Sequence, residues 1–166
     1  MTGSISVVVE IPKGSRNKYE MNPATGRIHL DRMLFTSVQY PADYGFVEET
    51  LAEDGDALDA LVLVGAPTFP GCVIEVRPVG VFHMTDDKGV DDKILTVPVG
   101  DPLWSSVNTL TEVPGHLLNE IAHFFAIYKD LEGKKVITGG WGGEDEAVRI
   151  IESSRAAFFT PRETSA

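Results

Sequence analysis

The chain has one cysteine, Cys72, among 166 residues. A single thiol forms no internal disulfide and no cysteine-based zinc site. Cys72 stands in an apolar stretch, where a small buried side chain is its expected role. Basic residues are also scarce: 14 Lys and Arg face 25 Asp and Glu, for a formal charge of -11. That excess argues against nonspecific nucleic-acid binding, which depends on basic patches that displace counterions. It argues equally against anionic membrane surfaces. No apolar run approaches the ~20 residues needed to span a bilayer. The opening residues, Met1 to Glu10, lack the basic start and apolar core of a secretory signal, so a cytoplasmic location is expected. Repeats and low-complexity tracts are missing. His29, His83 and His116 have no metal-ligand spacing and are expected at structural or surface positions.

What remains is an ordinary globular composition. Hydrophobic residues make up 43%, enough for a sizeable core, and the length suits one domain over 1–166. Residues 161–166 are expected to form a frayed tail. Short strand-like runs fill the first hundred residues. They are Ser4 to Ile11, Lys18 to Met21, Arg27 to Arg32, Ala60 to Val64, Cys72 to Phe82 and Lys93 to Val99. Asn22 to Gly26 reads as a turn between paired strands. Frequent prolines keep the runs short. After Pro102 the period changes. Leu117, Leu118, Ile121, Phe124, Phe125 and Tyr128 recur at helical spacing behind Pro114. A second helix is predicted from Glu144 to Phe158. Its acidic start suits the helix dipole, and its core face is Ala147, Ile150, Ile151, Ser154, Ala157 and Phe158. Many short strands followed by two helices give a mainly β, α+β architecture: a small barrel with C-terminal helices outside it.

The strongest local signal is the run Asp54-Gly55-Asp56-Ala57-Leu58-Asp59-Ala60. Asp54-Gly55 favours a tight turn, which lets several carboxylates converge at the barrel mouth. Asp59 borders an apolar strand, where a carboxylate is costly unless it is paired or bound to metal. A second acidic loop runs from Asp86 to Lys93. Two such loops on one end of the sheet make a multi-metal site suited to Mg²⁺ or Mn²⁺. The spacing fails the EF-hand pattern, with no glutamate at the twelfth position.

Holding an anion needs basic and phenolic groups. They occur in the clusters Lys18-Tyr19-Glu20, Asp31-Arg32 and Tyr40 to Gly45, and at Lys93 and Tyr128-Lys129. Arginine offers phosphate a planar fork and lysine a point charge. A tyrosine hydroxyl can donate while staying neutral.

These motifs, in this order, resemble the family I soluble inorganic pyrophosphatases, and among them the bacterial, actinobacterial-like branch. The resemblance runs from about Val7 to Trp141. It rests on Val9-Glu10-Ile11-Pro12, Asn17-Lys18-Tyr19-Glu20, Leu30-Asp31-Arg32, Tyr40-Pro41-Ala42-Asp43-Tyr44-Gly45 and Asp54 to Asp59. It continues through Arg77-Pro78-Val79-Gly80-Val81, Asp86 to Lys93, His123-Phe124-Phe125 and Tyr128 to Glu132.

The resemblance implies an OB-like five-stranded β-barrel, Mg²⁺ as cofactor, with Mn²⁺ or Zn²⁺ as substitutes, and hydrolysis of pyrophosphate to two phosphates. It implies that Asp54, Asp59 and Asp91 hold the tightest metal, that Asp59 bridges to a second, and that Asp86 and Asp91 serve metals arriving with substrate. Glu10 and Glu20 contribute a further metal site. Lys18, Arg32, Tyr44, Lys93, Tyr128 and Lys129 grip the phosphates, and Asp56 is the general base. A homohexamer is implied as well, with the helix face of His123, Phe124 and Phe125 expected to contribute to it. The chain departs from the family pattern at Ala57, where proline is usual, at Asp87, where glutamate is common, and at Ile127, where bacterial relatives often have histidine.

Three rival readings stand beside this one: a non-catalytic divalent-metal-binding OB-fold module, an OB-fold nucleic-acid binder, and a generic phosphatase. The net charge and the lack of a basic groove with stacking aromatics weigh against the second. Lys18, Arg32, Lys93 and Lys129 weigh against the first, since a plain cation sink gains nothing from them.

Overall fold

The computed structural model describes residues 4–161. Five strands close on themselves: β1 (Ile5–Ile11), β4 (Asp43–Val47), β5 (Asp59–Val62), β8 (Lys93–Pro98) and β6 (Val73–Asp86). β1 pairs with both β4 and β6, which completes the ring. Only the β5–β8 contact in the ring is parallel. This is the OB-like arrangement expected from the sequence. The hairpin of β2 (Asn17–Asn22) and β3 (Arg27–Met33) forms its own two-stranded sheet. β7 (Gly89–Val90) and β9 (Ile137–Gly143) both pair with β6. The helices are α1 (Gly115–Ile127) and α2 (Glu144–Phe159).

Successive strand residues point to opposite faces, and here both faces are covered. Leu61, Leu95 and Val97 pack with Ile121, Phe124 and Phe125 of α1. Ala60, Val62 and Ile94 pack with Ala147 and Ile151 of α2. Double coverage explains why the run from Ala60 is unbroken in apolar character rather than alternating. The 14-residue β6 shares one edge between β1 and β9 and gives the other to β8, with a bulge at Pro78 to Gly80 where proline has no N–H to offer.

Three strands were not predicted: the two-residue β7, inside the expected acidic loop, and the longer β4 and β9. β4 carries Asp43 and Gly45. Asp43 is fully buried, accepting hydrogen bonds from Lys13 N, Thr68 N and Thr68 Oγ1. Gly45 lies so close to β1 that a Cβ there would collide with the Val8 carbonyl. β9, Ile137-Thr-Gly-Gly-Trp-Gly-Gly, is glycine-rich and has little intrinsic strand preference.

Three packing expectations change. Ala157 and Phe158 are exposed. Cys72 is half-buried, lying beside the exposed Gly71 and Val73. Phe124 and Phe125 are buried within this chain's own core and leave only His123 of that trio facing outward. Of the expected tail at 161–166, only Pro161 falls among the described residues.

Candidate active site

One end of the ring opens into a cleft of about 720 Å³. Its acidic wall is built by two loops. The first joins β4 to β5. Gly55 turns it with φ +90°, Ala52 N donates to Asp56 O at 2.7 Å, and Asp56 N donates to Asp54 Oδ1 at 3.1 Å. That turn sets Asp54 and Asp56 on the cleft, with Asp59 at the head of β5. The second is the β6–β7 hairpin and its exit. Asp86 pairs with Gly89 across the exposed Asp87-Lys88 turn, and Asp91 N donates to Met84 O at 2.9 Å. Asp86 and Asp91 face the same cleft. Glu10, from β1, and Glu20, from β2, complete this set.

Lys93 sits at the centre. It is 1% exposed, and its Nζ lies 2.6 Å from Asp59 Oδ2, 2.8 Å from Asp91 Oδ1 and 2.8 Å from the Tyr44 hydroxyl. The geometry follows from topology. Asp59 and Lys93 are register partners across the parallel β5–β8 pair, so their side chains leave the sheet together. Burial pulls the Lys93 ammonium down, but Asp59 and Asp91 outweigh it and hold its pKa above the usual lysine value. Burial, reinforced by Asp59 and Asp91, drives the Tyr44 hydroxyl well up, so it stays a neutral phenol.

Cationic and phenolic groups share the cleft with these carboxylates. Tyr128 caps α1 and Lys129 follows it, with Lys129 Nζ 3.7 Å from Asp86 Oδ2. Burial lowers Lys129; Asp86 opposes this, and Lys93 adds to it. Lys18, on β2, lines the cleft with its Nζ 3.1 Å from Asp31 Oδ2 and 3.9 Å from Glu20 Oε1. Arg32 is the one predicted site residue not on the wall of the cleft among the described residues. Asp31 holds its Nη1 at 2.7 Å, and Glu132 Oε1 lies 2.8 Å from its Nε. Arg32 Nη2 donates to Glu132 Oε2 at 3.3 Å, while the Nε–H has no hydrogen-bond acceptor among the described residues. The Arg32 charge still reaches the cleft, where it works to lower both Tyr128 and Lys129.

The carboxylates are crowded. Burial raises Glu10 to about 7; a hydrogen bond from Met21 N at 2.8 Å works against this, while Asp59 and Glu20 add to it. Burial also raises Asp91, with Lys93 opposing and Asp59 reinforcing. Asp54 moves the same way, through burial first; the Asp56 N–H opposes and Asp91 reinforces. A cation between these groups relieves both penalties.

The donors fit a hard divalent cation. They are all carboxylate oxygens, and no cysteine or histidine among the described residues lines the cleft. Among the described residues, no three His, Cys, Asp or Glu side chains already form a group that could hold a metal ion as they stand.

The inorganic pyrophosphatase family model matches residues 7–158. The chain belongs to that family. It is 59% identical over 154 residues to the inorganic pyrophosphatase of Methanosarcina acetivorans, covering 93% of this chain and 92% of that one. It is 56% identical over 153 residues to that of the actinobacterium Streptomyces coelicolor, with 92% and 94% covered. Among solved structures, the inorganic pyrophosphatase of Helicobacter pylori superposes with a TM-score of 0.93 at 40% identity, covering 95% of each chain. That of Thermus thermophilus gives 0.92 at 42% identity, covering 95% of this chain and 92% of the other.

Some wall residues had not been assigned to the site. Lys88, Phe158 and Thr160 also line the cleft. The last two come from the end of α2, a hundred residues beyond the acidic loop they approach, and no local pattern reports such proximity. Glu132 lies in the Tyr128–Glu132 motif, but its grip on Arg32 needed the fold to be visible.

Proposed function

We propose that this protein hydrolyses inorganic pyrophosphate to two orthophosphates in this cleft, with Mg²⁺ as its metal. The observation that carries the reading is the gathering of carboxylates with Lys18, Lys129 and the buried Lys93 in one cleft, within a fold shared by the inorganic pyrophosphatases.

Asp54, Asp59 and Asp91 hold the first metal in this proposal, Asp86 helps hold those that accompany substrate, and Glu10 and Glu20 add a further site. When bound, the metal supplies charge neutralisation and makes a nearby water more acidic. The rest is the work of the chain's own groups. Lys18, Tyr44, Lys93, Tyr128 and Lys129 orient the substrate and balance its charge, and Arg32 acts from the rim. Asp56, exposed on its turn, takes the proton of the attacking water as general base. One P–O bond of the anhydride breaks as the new one forms, and the departing phosphate leaves beside Lys129 and Tyr128. Removing one cation that contacts the transition state is expected to cost ~10²–10³ in rate.

The same proposal takes the chain as one catalytic domain in the cytoplasm. No helix of the described residues is long and apolar enough to cross a membrane. It also takes the working form as a homohexamer. Support for association comes from the exposed Leu30, Met33 and Phe35 on and beside β3, not from Phe124 or Phe125. Sedimentation showing only monomer at working concentration would count against it.

The deciding experiment is phosphate release by the purified protein from pyrophosphate, ATP and a phosphate monoester, each with Mg²⁺ and with EDTA. Rapid, Mg²⁺-dependent release from pyrophosphate alone is the expected result. No release from a folded, Mg²⁺-loaded protein would overturn the reading in favour of metal binding without catalysis.

A further inference from the structure

Behind the acidic wall, His83 of β6 stands between two carboxylates from different elements. Its Nδ1 lies 3.2 Å from Asp92 Oδ1, and its Nε2 lies 3.0 Å from Glu146 Oε1, in the first turn of α2. Each ring nitrogen thus faces one carboxylate oxygen, so the imidazole bridges the two elements. Asp92 also accepts from Met84 N at 3.4 Å.

The position of Asp92 gives these contacts their meaning. Asp91 and Lys93 face the cleft. The intervening Asp92 points the other way, as alternation along an extended segment requires, and meets His83. The backbone that aims Asp91 and Lys93 forward is therefore anchored from behind through Asp92. The helix that anchors it holds the other acidic loop too, because Leu51 N donates to Ser154 O of α2 at 2.9 Å.

We propose that His83 is a positioning residue for the metal site: it ties Asp92 to Glu146 of α2 and so fixes the carboxylate of Asp91 and the ammonium of Lys93 in the cleft. The proposal rests on the metal-dependent reading above and adds residues that touch neither metal nor substrate. Groups that orient metal ligands from outside the coordination sphere typically contribute 10–100-fold in affinity. Loss of His83 is therefore expected to weaken metal binding by about 10-fold, at the lower end of that range, because it acts through the neighbour of a ligand.

The test compares wild type, His83→Phe, His83→Arg and Glu146→Gln. Mn²⁺ binding is followed by loss of the free-ion paramagnetic resonance signal. The Mg²⁺ activation constant, kcat at saturating Mg²⁺ and the Tm of the metal-free protein are measured alongside. His83→Phe is expected to bind Mn²⁺ about 10-fold more weakly and to need correspondingly more Mg²⁺, with kcat at saturation nearly kept. His83→Arg, which retains donors toward both carboxylates, should recover wild-type affinity. Glu146→Gln, on the half-exposed first turn of α2, gives the same test should the Phe variant not fold, and should shift affinity in the same direction. Wild-type Mn²⁺ affinity in folded His83→Phe or Glu146→Gln would overturn the tie. So would a loss in His83→Phe that Arg does not recover, since ring packing would then be its cause. A wild-type protein that binds Mn²⁺ but does not cleave pyrophosphate would sink the catalytic reading and leave the tie testable by resonance alone. One that binds no Mn²⁺ would overturn both.

Discussion

Asp59 and Lys93 are neighbours across the parallel β5–β8 pair, and their side chains meet at 2.6 Å in the floor of the cleft. Lys93 also holds Asp91 at 2.8 Å, so a single ammonium is the internal counter-charge for two proposed metal ligands. Removing one member of a buried ionic set leaves the others uncompensated. Lys93→Met is therefore expected to destabilise the metal-free protein by about 3–5 kcal/mol, and saturating Mg²⁺ should restore part of the loss. Denaturation with EDTA and with Mg²⁺ checks this; equal losses in both conditions would argue that the carboxylates do not share one cation site.

Asp56 makes no ion pair among the described residues and sits exposed on its turn. Asp56→Asn keeps the size and acceptor oxygen of the side chain. Tm should stay near wild type, while kcat falls ~10²–10⁴, the usual contribution of a positioned general base. Near-normal turnover in the folded variant would remove Asp56 from the mechanism.

Glu10 gives the metal-free protein a pH dependence of definite sign. Its carboxyl titrates near its ordinary value of 4.5 in the unfolded chain and near 7 in the folded one, where burial holds it up. Between those values the folded state binds more protons, so stability falls as pH rises from 4.5 through 7 and levels off above that. The total is on the order of 3 kcal/mol. Urea midpoints of EDTA-treated protein from pH 5 to 8 should show the decline, and Glu10→Gln should flatten it. An unchanged slope in the variant would assign the effect elsewhere.

Gly45 follows Tyr44 on β4, where a Cβ would strike the Val8 carbonyl of β1. Because that obstacle is backbone, it cannot swing aside. Gly45→Ala should cost about 3 kcal/mol or more and lower kcat as well, since Tyr44 shifts with its strand. A variant with wild-type Tm would mean that β1 and β4 separate more easily than their pairing suggests.

The sequence carried the acidic loops, the two helices and most of the strands, because each announces itself locally through turn chemistry or periodicity. Asp54-Gly55 predicted its turn, and Gly55 adopts the positive φ that a tight turn demands. The two longer missed strands lack such signals. β4 begins with a buried Asp43 and includes a glycine chosen for close approach, while β9 is glycine-rich and held by the free edge of β6. Periodicity marked the inward face of α2 but not where its burial stops, so Ala157 and Phe158 were assigned to a core they do not reach. In the site, the residue types were legible and their pairings were not. Asp59 and Lys93 are 34 residues apart and meet only through the parallel register. His83 gave no spacing signal because its two partners come from separate elements.

The alternation at Asp91-Asp92-Lys93 restricts which changes in chain length this segment can accept. Inserting or deleting one residue between Asp91 and Ile94 would reverse the facing of the segment. An acid meant for the interior tie would then enter the cleft, and a proposed ligand would turn toward α2. Length here is fixed in parity, with only changes of two preserving the pattern. The Asp87-Lys88 turn just upstream is exposed and tied to no such rule. Divergence among relatives should therefore gather at that tip, while the three residues beyond Val90 stay constant in number even where their identities change.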